Sequence, residues 1–363
     1  MRPALAVVIG AILSMGCNDV PLRPSGTGGL ALRVLPTPGA GVALDSGRVL
    51  VRGPTNKTVR VSPGATVTIN GLTGQTFHIG DTINTTAIRM GYVMTPSQET
   101  KQDEAGFSAG WDVADPSQCY FYHSMEIPGY GLVKGPWDIR GGVDDYLGNV
   151  DLNGKRVLEV GTASGFLCYT MEGRGADVVA YDLSDEQSWD VVPYAGYDHA
   201  AFDSERREHL RKLNNSWWLA HTAFESTAKV VYGTVYEIPD EIGRVEVATY
   251  GNVLRHFRDP FLALERGLRL TTETAIVTEN PSLRYSLPQM AASLLKPNMA
   301  FLPNFERVQP RESWWHFTPA AIRQMLGILG FEDTKVRYHV QRFAWKRKPL
   351  FTVVGRRTRP LSA

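Results

Sequence analysis

Cysteine is scarce in this sequence of 363 residues, which has only Cys17, Cys119 and Cys168 and no C-x-x-C pair. Such scarcity argues against a disulfide-stabilised scaffold and against a zinc site built from cysteines, and no metal site is expected. A surplus of charge of one sign is also missing, since 38 Lys and Arg stand against 37 Asp and Glu. This balance argues against a dedicated nucleic-acid coat protein, although it leaves room for a local basic patch.

The N-terminus lacks an apolar run long enough to span a bilayer as a helix. The uncharged stretch of residues 4–15, which follows Arg2, is too short for this but suits the apolar region of an export signal. The tetrapeptide that ends at Cys17 resembles a bacterial lipoprotein cleavage site, at which Cys17 would be lipidated. We therefore interpret residues 1–17 as a signal or lipoprotein-like segment, with an ordinary apolar N-terminus as the alternative.

Composition changes along the first hundred residues. Hydrophobic residues make up 43% of the chain, enough for a sizeable core, and the length suggests two domains. Residues 18–29 are rich in Pro, Gly and Ser, which is typical of a linker. Residues 30–100 hold short alternating runs of β-branched residues between Pro-Gly and Asn-Gly turn signals, which predicts a small β-rich domain. It contains no catalytic constellation, so we interpret it as a spacer or binding module.

From about residue 105 to the C-terminus, apolar runs of strand length alternate with segments of helix length. Residues 156–160 and 178–181 are runs of the kind that is buried on both faces of a parallel sheet. Residues 245–250 and 274–278 continue the series. The alternation predicts an α/β domain over residues 105–363, with right-handed crossovers between its parallel strands.

A glycine turn follows the first of these strands. The strand ends just after Glu159, and Gly161 and Gly165 then allow the backbone to approach a ligand closely before a helix begins. Asp182 ends the next strand, where a carboxylate can accept both hydroxyl groups of a ribose. The pattern predicts a cofactor that contains a nucleoside, at this edge of the sheet.

Two cofactors fit this pattern to different degrees. A dinucleotide requires glycine at the position of Thr162, and Glu159 would place a negative charge near the pyrophosphate. S-adenosylmethionine has no phosphate, and it carries an ammonium group that a carboxylate can bind. The residues therefore favour S-adenosylmethionine, and Thr162 argues against an NAD-dependent oxidoreductase.

The combination E-x-G-x-x-x-G followed by Asp182 resembles the first two motifs of class I S-adenosylmethionine-dependent methyltransferases. Residues 246–260 resemble the fourth strand of that family and the loop after it, while residues 335–340 and 350–354 resemble its sixth and seventh strands. The resemblance extends over about residues 105–357. It implies a doubly wound, seven-stranded Rossmann-like methyltransferase sheet with an antiparallel last strand, preceded by a small all-β segment.

The same resemblance implies which residues bind S-adenosylmethionine. They lie in the glycine turn, at the end of the second strand, and in the loops after the third and fourth strands. These residues are Glu159, Gly161, Thr162, Ser164, Gly165, Asp182, Leu183, Thr234, Val235 and Asn252. The alternative is that they are turn residues with no ligand.

Two histidines are candidate catalytic bases. His256 closely follows the fourth strand, so its imidazole could take a proton from the methyl acceptor, and His123 is the second candidate. Three further residues are expected to bind the acceptor from a lid: Tyr122, Trp137 and Arg140. The alternatives are a structural histidine bonded to the backbone, and aromatic residues that pack an N-terminal helix against the sheet.

Residues 136–140 resemble the same region of the methyltransferases that modify the wobble uridine of tRNA. Those enzymes have a Tyr before the loop histidine and a Lys before the tryptophan, where this sequence has Arg255 and Pro136. A carboxylated cofactor and a tRNA substrate are therefore less favoured than plain methyl transfer to a small molecule or glycan. The basic residues near the C-terminus could face RNA, but we favour their usual role of protecting an exposed sheet edge.

These features together predict an enzyme that transfers a methyl group from S-adenosylmethionine to an oxygen or nitrogen of a small molecule or glycan. Two alternatives stay open, namely a surface-anchored binding protein on a non-catalytic methyltransferase fold, and a tRNA-modifying methyltransferase. The cofactor implies a cytoplasmic protein, whereas residues 1–17 suggest a lipoprotein anchored to a membrane through a lipid on Cys17.

Overall fold

The computed structural model describes residues 106–187, 189–281 and 296–361, together with the backbone of eight short strands between residues 20 and 84. The chain divides into two compact units, Met1–Glu99 and Thr100–Ala363. Within the described residues, no helix has the length and apolar character needed to cross a membrane. The expected signal at residues 1–17 lies outside the described part of the chain.

The N-terminal unit contains short strands. Those that the structure describes are β1 (Val20–Leu22), β2 (Leu32–Val34), β3 (Gly41–Asp45), β4 (Arg48–Arg52), β5 (Thr58–Arg60), β6 (Thr66–Asn70), β7 (Thr76–His78) and β8 (Thr82–Asn84). β1 pairs with β2, and β5 pairs with β8. A four-stranded sheet has the order β3-β4-β6-β7, in which β4 and β6 are parallel. β1 lies inside residues 18–29, the segment expected to be a linker.

The C-terminal unit is built on a mixed sheet with helices. Its described strands are β9 (Met125–Ile127), β10 (Gly131–Val133), β11 (Trp137–Asp138), β12 (Arg156–Val160), β13 (Asp177–Asp182), β14 (Lys229–Tyr232), β15 (Val245–Gly251), β16 (Thr271–Glu279), β17 (Met299–Phe301), β18 (Trp315–Phe317), β19 (Asp333–Phe343) and β20 (Lys346–Arg356). Its described α-helices are α1 (Val143–Tyr146), α2 (Phe166–Glu172), α3 (His199–Ala223), α4 (Pro260–Leu268) and α5 (Pro319–Ile328).

Eight strands form the central sheet, in the order β11-β19-β20-β16-β15-β12-β13-β14. The neighbours from β16 through β15, β12 and β13 to β14 pair in parallel. β20 runs antiparallel between β16 and β19. The doubly wound methyltransferase sheet with an antiparallel last strand is therefore confirmed.

The eighth strand, β11, was not predicted from the sequence. It consists of Trp137 and Asp138, which pair with Phe343 and Arg342 at the end of β19. Two residues are too few to show any hydrophobic periodicity, so sequence alone gives no signal for such a strand.

The central strands are buried because both faces of the sheet are covered. Leu158 and Val160 of β12 pack into one apolar cluster, and Val157, which precedes Leu158, packs into the cluster on the other side. Alternate side chains of a strand point to opposite faces, so a strand that is covered on both faces needs apolar residues throughout. This requirement explains the continuous apolar runs in the sequence.

Helices α4 and α5 each begin at a capping residue that can be recognised in the sequence. Asp259 accepts a hydrogen bond from the Leu262 amide at 3.0 Å, immediately before Pro260 opens α4. Thr318 accepts one from the Ala321 amide at 3.2 Å before α5. In both cases a side-chain oxygen satisfies an amide at the helix start, and proline occupies the first helical position, where no amide is needed.

Candidate active site

A cavity of about 370 Å³ lies at the carboxyl ends of the parallel strands. In open α/β sheets, ligands bind at this edge. Its wall includes residues from the loops after β12, β13, β14 and β15: Gly161, Asp182, Leu183, Thr234, Val235 and Asn252. The structure therefore brings together six of the ten residues expected to bind the cofactor.

The glycine turn after β12 is tightly packed. Gly161 has a φ of +84° and donates its amide to the Tyr181 carbonyl at 2.8 Å, and a Cβ at this position would meet Val253. Gly165 has a φ of +85°, and a Cβ there would collide with aromatic side chains. Both positions therefore require glycine, but only Gly161 reaches the cavity wall. Gly165 acts through the shape of the turn.

Asp182 is held in place by the turn that it faces. Its carboxylate accepts the Ala163 amide at 2.7 Å and the Leu183 amide at 2.8 Å. Burial raises the pKa of Asp182 to about 6, although these two amides pull it in the opposite direction. At neutral pH the group is an anion with lone pairs left over, and it lies in the cavity wall. Such a group can accept hydrogen bonds from two ligand hydroxyls.

Three oxygen acceptors beside the turn have no hydrogen-bond partner in the described residues. They are Glu159 Oε2, Thr162 Oγ1 and Asn252 Oδ1, and all three are buried. Burial raises the pKa of Glu159 to about 8. Asn252 alone of the three lies in the cavity wall, with a φ of +57°. Unpaired buried acceptors are costly, so this corner suits a ligand that brings a donor, such as an ammonium group.

The wall near Asp182 is apolar where a flat ring would fit. Leu183 and Val235 line the cavity, and the backbone of Thr234 is fixed by the Tyr181 hydroxyl, which donates to its carbonyl at 2.8 Å. Apolar walls with a few placed polar groups are typical of sites for cofactors. The residues present therefore fit S-adenosylmethionine, with apolar contacts for its adenine, Asp182 for its ribose and the unpaired Asn252 oxygen in the cavity wall for its ammonium.

Ser164 does not line the cavity, which corrects the expectation that it contacts the cofactor. It is fully buried, and its hydroxyl accepts the amides of both Tyr122 and His123 at 3.2 Å. Its role is to attach the segment before β11 to the glycine turn. This contact could not be predicted from the sequence, because the two segments are far apart along the chain.

Of the three residues expected to bind the acceptor, only Tyr122 lines the cavity. Trp137 is buried behind it and donates its indole N–H to the Tyr122 hydroxyl at 3.2 Å. Arg140 is exposed and forms an ion pair with Asp138 at 2.9 Å. The structure therefore places Trp137 and Arg140 outside the cavity wall. Trp137 supports Tyr122, and Arg140 has a partner within its own turn.

The two candidate bases, His256 and His123, both line the cavity. His256 ends a short 3-10 turn after β15, and its Nδ1 lies against the carbonyl oxygen of Glu312. A carbonyl only accepts hydrogen bonds, so Nδ1 carries the proton and Nε2 keeps its lone pair. Burial and the neighbouring Arg255 lower the pKa of His256 to about 4. His123 is buried, its Nδ1 has no partner in the described residues, and burial lowers its pKa to about 4.

The structure adds cavity residues that sequence reasoning missed. Arg206 and His209 project from α3, and Trp189, Tyr120 and Glu312 come from loops. The Arg206 guanidinium pairs with the Glu312 carboxylate at 3.1 Å. It also lies over the Trp189 ring at 5.5 Å. None of these residues belongs to a motif, and their common location follows only from the fold.

A strap of residues 189–192 closes one side of the cavity. The Asp190 side chain accepts the Tyr236 hydroxyl and the Arg258 amide, the latter at 2.7 Å. Its carbonyl accepts the Trp314 indole N–H at 2.6 Å. The strap is thus tied to the loops after β14 and β15 and to the segment before β18. Across residues 106–187, 189–281 and 296–361, no group of His, Cys, Asp and Glu is placed to hold a metal ion.

Residues 139–336 match the sequence profile of the methyltransferase domain family. The match covers more than half of the chain, and it contains the whole glycine turn, Asp182 and the loop of His256. The chain belongs to this methyltransferase family. Its donor is S-adenosylmethionine, for which the cavity has the residues described above. A search of curated proteins gives no match.

Solved structures that are similar to part of this chain are distant from it in sequence. Magnesium protoporphyrin IX methyltransferase from Synechocystis PCC 6803 is 14% identical with a TM-score of 0.35, over 60% of this chain and 81% of that one. A protein from Bacillus halodurans C-125 that is assigned as a methyltransferase is 13% identical with a TM-score of 0.38, over 60% of this chain and 98% of that one. The 1,6-didemethyltoxoflavin-N1-methyltransferase from Burkholderia thailandensis is 14% identical with a TM-score of 0.34, over 57% of this chain and 72% of that one.

Proposed function

We propose that this enzyme methylates a hydroxyl oxygen of a small molecule or a glycan. The observation that carries the proposal is His256, whose Nδ1 is committed to a backbone carbonyl and whose ring lines the cavity. A neutral imidazole with a free Nε2 lone pair is the group that an oxygen acceptor needs, because a hydroxyl must lose its proton on methylation. A nitrogen acceptor with its own lone pair would not need it.

S-adenosylmethionine, when bound, supplies a methyl group on a sulfonium, which is open to in-line displacement. The residues of this chain have to align the reactants and handle one proton. Asp182 and Asn252 fix the two ends of the cofactor site, and Tyr122 forms part of the wall on the side of the candidate bases. With the cofactor bound, the acceptor oxygen would form a bond to the methyl carbon as the bond from that carbon to sulfur breaks, and the demethylated thioether would leave. The hydroxyl proton would pass to Nε2 of His256. Alignment of this kind contributes much of the rate in such reactions.

The low pKa of His256 changes the expected pH dependence. An unperturbed imidazole would become protonated near pH 6.5 and lose its function as a base there. In this cavity the pKa of His256 is about 4, so the ring stays neutral throughout the physiological range. Its basicity is correspondingly weak, which suits an acceptor hydroxyl that transfers its proton late, as the oxygen–carbon bond forms.

The donor is tested by calorimetry on the full-length protein. S-adenosylmethionine and its demethylated product should each bind saturably, whereas NAD should give no heat. Saturable binding of NAD alone would overturn the assignment of the cofactor. Binding of the two adenosyl compounds without any turnover would instead support a binding protein on a non-catalytic fold.

The acceptor class is tested with methyl-labelled S-adenosylmethionine and fractions of a cell extract. Label should enter the small-molecule or glycan fraction, in a product that survives the mild base that cleaves methyl esters. A His256→Ala variant is the control, and it should leave the label in the donor. Label recovered in RNA would contradict the proposal and favour a tRNA-modifying enzyme.

We propose further that Cys17 carries a lipid and that residues 1–17 act as its signal, as the lipoprotein-like pattern predicts. The test is fractionation of cells that express the full-length protein and a Cys17→Ser variant. The unsubstituted protein should sediment with membranes, and the variant should be released. An unsubstituted protein found wholly in the soluble fraction would refute the anchor and favour the cytoplasmic alternative.

A further inference from the structure

The hairpin of β19 and β20 has an unusual turn. The closing pair is Phe343 with Lys346, so Ala344 and Trp345 form a two-residue loop, with φ angles of +43° and +66°. Turns of this mirror-image type favour Asn and Gly, because a bulky side chain is disfavoured at positive φ. Trp345 is nevertheless there, and 95% of its surface is exposed. Packing within the described residues therefore does not compensate for its strained backbone.

One face of this hairpin is packed close to the turn. Phe343 contacts the Trp137 ring at a centroid distance of 4.8 Å, and the Gln341 side chain donates to the Gly142 carbonyl at 2.8 Å. The face is therefore occupied by the segment that leads into α1. Near the turn, this side of the hairpin is therefore covered by the chain's own residues, and its exposed positions are charged ones such as Lys335 and Arg337.

The opposite face is open near the turn. Strand alternation places Tyr338, Val340 and Arg342 together, and their neighbours on β20 include Pro349 and Arg347. Tyr338 is 60% exposed and Val340 is 45% exposed. Helix α5 covers this face only at the far end, where Leu326 lies against Gly355. We call the open part, Tyr338, Val340, Arg342, Trp345, Arg347 and Pro349, the hairpin face.

Cationic residues surround the hairpin face. Residues 333–349 contain six Lys and Arg against one acidic residue, Asp333. Of these six, only Arg337 is in an ion pair within the described part of the chain, with Asp145 at 3.8 Å. The hairpin therefore presents positive charge beside exposed apolar side chains.

Protection of a sheet edge accounts for the cations but not for the apolar residues. Lys and Arg at an edge discourage pairing with other strands, whereas an exposed Trp, Val and Tyr would encourage association. Nucleic acid would pair with the cations and could stack on Trp345, but the aliphatic Val340 and Pro349 have no π face for a base. The boundary of an anionic bilayer matches both components, since headgroups bind Lys and Arg and the acyl boundary accepts Trp and aliphatic side chains.

We propose that the hairpin face docks on the surface of an anionic membrane, with Trp345 at the boundary between headgroups and acyl chains. β19 runs parallel to β16, because both are antiparallel to β20. The turn consequently lies at the same edge of the sheet as the cavity, and docking turns this edge toward the bilayer. The contact is independent of any lipid on Cys17.

The test uses the full-length chain with Cys17→Ser, so that an acyl chain on that residue cannot contribute. The protein is sedimented with vesicles of phosphatidylcholine, with or without phosphatidylglycerol. It should bind the anionic vesicles and not the neutral ones, and salt should weaken the binding. Trp345→Gly and Arg342→Glu/Arg347→Glu should each lower the partition coefficient at least roughly tenfold.

Two matched controls separate docking from damage to the fold. Phe305→Gly removes an aromatic side chain that is 83% exposed elsewhere, and Lys335→Glu reverses a charge on the other face of β19; both should keep most of the binding. Trp345→Gly should not lower the melting temperature, because glycine accepts the positive φ. Equal binding to neutral vesicles, or binding that Trp345→Gly leaves unchanged, would overturn the proposal. Loss of poly(U) binding in the same variants, with no vesicle binding by any protein, would show that the face binds RNA.

Discussion

Asp182 accepts two backbone amides and still faces the cavity, so its carboxylate is oriented before any ligand arrives. Asp182→Ala should weaken binding of S-adenosylmethionine by about 1.5–3 kcal/mol, since charge-assisted hydrogen bonds to the ribose are lost. The affinity of the unsubstituted enzyme should also fall below about pH 6, where the carboxylate becomes protonated. Calorimetry at several pH values measures both effects.

The matched control is Asp177→Ala, which removes an exposed carboxylate at the start of the same strand. Asp177 pairs with Arg156 at 3.1 Å and does not line the cavity. The Asp177→Ala variant should leave the affinity for S-adenosylmethionine unchanged. Equal losses in the two variants would show that the effect at Asp182 is one of folding, not of contact.

His256 is expected to act on the acceptor and not on the cofactor. His256→Ala should lower turnover by roughly 10²–10⁴-fold and leave the affinity for S-adenosylmethionine nearly unchanged. In the unsubstituted enzyme, protonation of this imidazole should depress the rate only near pH 4, because its pKa lies there. Both effects are measured by following turnover over a pH series. The control is His199→Ala, which removes an imidazole outside the cavity wall and should keep its turnover.

Other outcomes for His256 are equally informative. A loss of turnover matched by an equal loss of cofactor affinity would make it a structural residue. A variant that keeps most of its rate would leave His123 or simple proximity to support the reaction. A rate that falls near pH 6.5 would contradict the lowered pKa.

At the scale of elements, α3 contributes a cation to the cavity through Arg206. The guanidinium holds the Glu312 carboxylate at 3.1 Å, and the carbonyl of the same residue accepts from His256. Arg206→Met should lower turnover through loss of this alignment and destabilise the fold by about 1–3 kcal/mol, because Glu312 loses its cation in a buried site. Arg211→Met, on the same helix but outside the cavity wall, breaks a partly exposed pair with Glu208 and should change neither quantity by much. Similar losses of turnover in both variants would contradict the role of Arg206.

Elements with strong local signals were predictable, and those defined by contact were not. β12 and its glycine turn follow from an apolar run that ends before Gly161, and the start of α5 follows from Thr318 and Pro319. α3 carries cavity residues at Arg206 and His209, but polar residues on a long helix normally face water, so nothing in the sequence distinguishes these two. The position of Arg140 outside the cavity wall could not be predicted, because its ion pair with Asp138 depends on a local turn that spacing does not reveal.

At the scale of the whole molecule, six buried groups make stability depend on pH. Burial raises the pKa of three carboxyls and lowers that of three imidazoles: Glu159 to about 8, Glu279 to about 7 and Asp182 to about 6, and His123, His209 and His256 to about 4. Up to pH 6.5 the two sets oppose one another, since the folded state binds extra protons on the carboxyls and fewer on the imidazoles.

Above pH 6.5 the two glutamates outweigh the imidazoles, whose remaining protons are lost from the unfolded chain within about one pH unit. The folded protein still holds the glutamate protons while the unfolded chain has lost them, so the free energy of unfolding should fall by about 1 kcal/mol between pH 6.5 and 8. Thermal or denaturant unfolding at the two pH values measures this. Glu159→Gln should remove most of the slope. A free energy of unfolding that rises over this interval would contradict the raised pKa values.

One hydroxyl group joins the two halves of the active site. Because the Ser164 hydroxyl accepts the amides of both Tyr122 and His123, the wall beside the candidate bases is fastened to the turn beside the cofactor. A change of acceptor specificity through this wall would therefore disturb the donor as well. The strap at residues 189–192 and the loop of Glu312 have no such attachment to the turn among the described contacts. Engineering of a new acceptor preference should begin in those two segments, with Asp190 kept because its side chain holds the loop after β14.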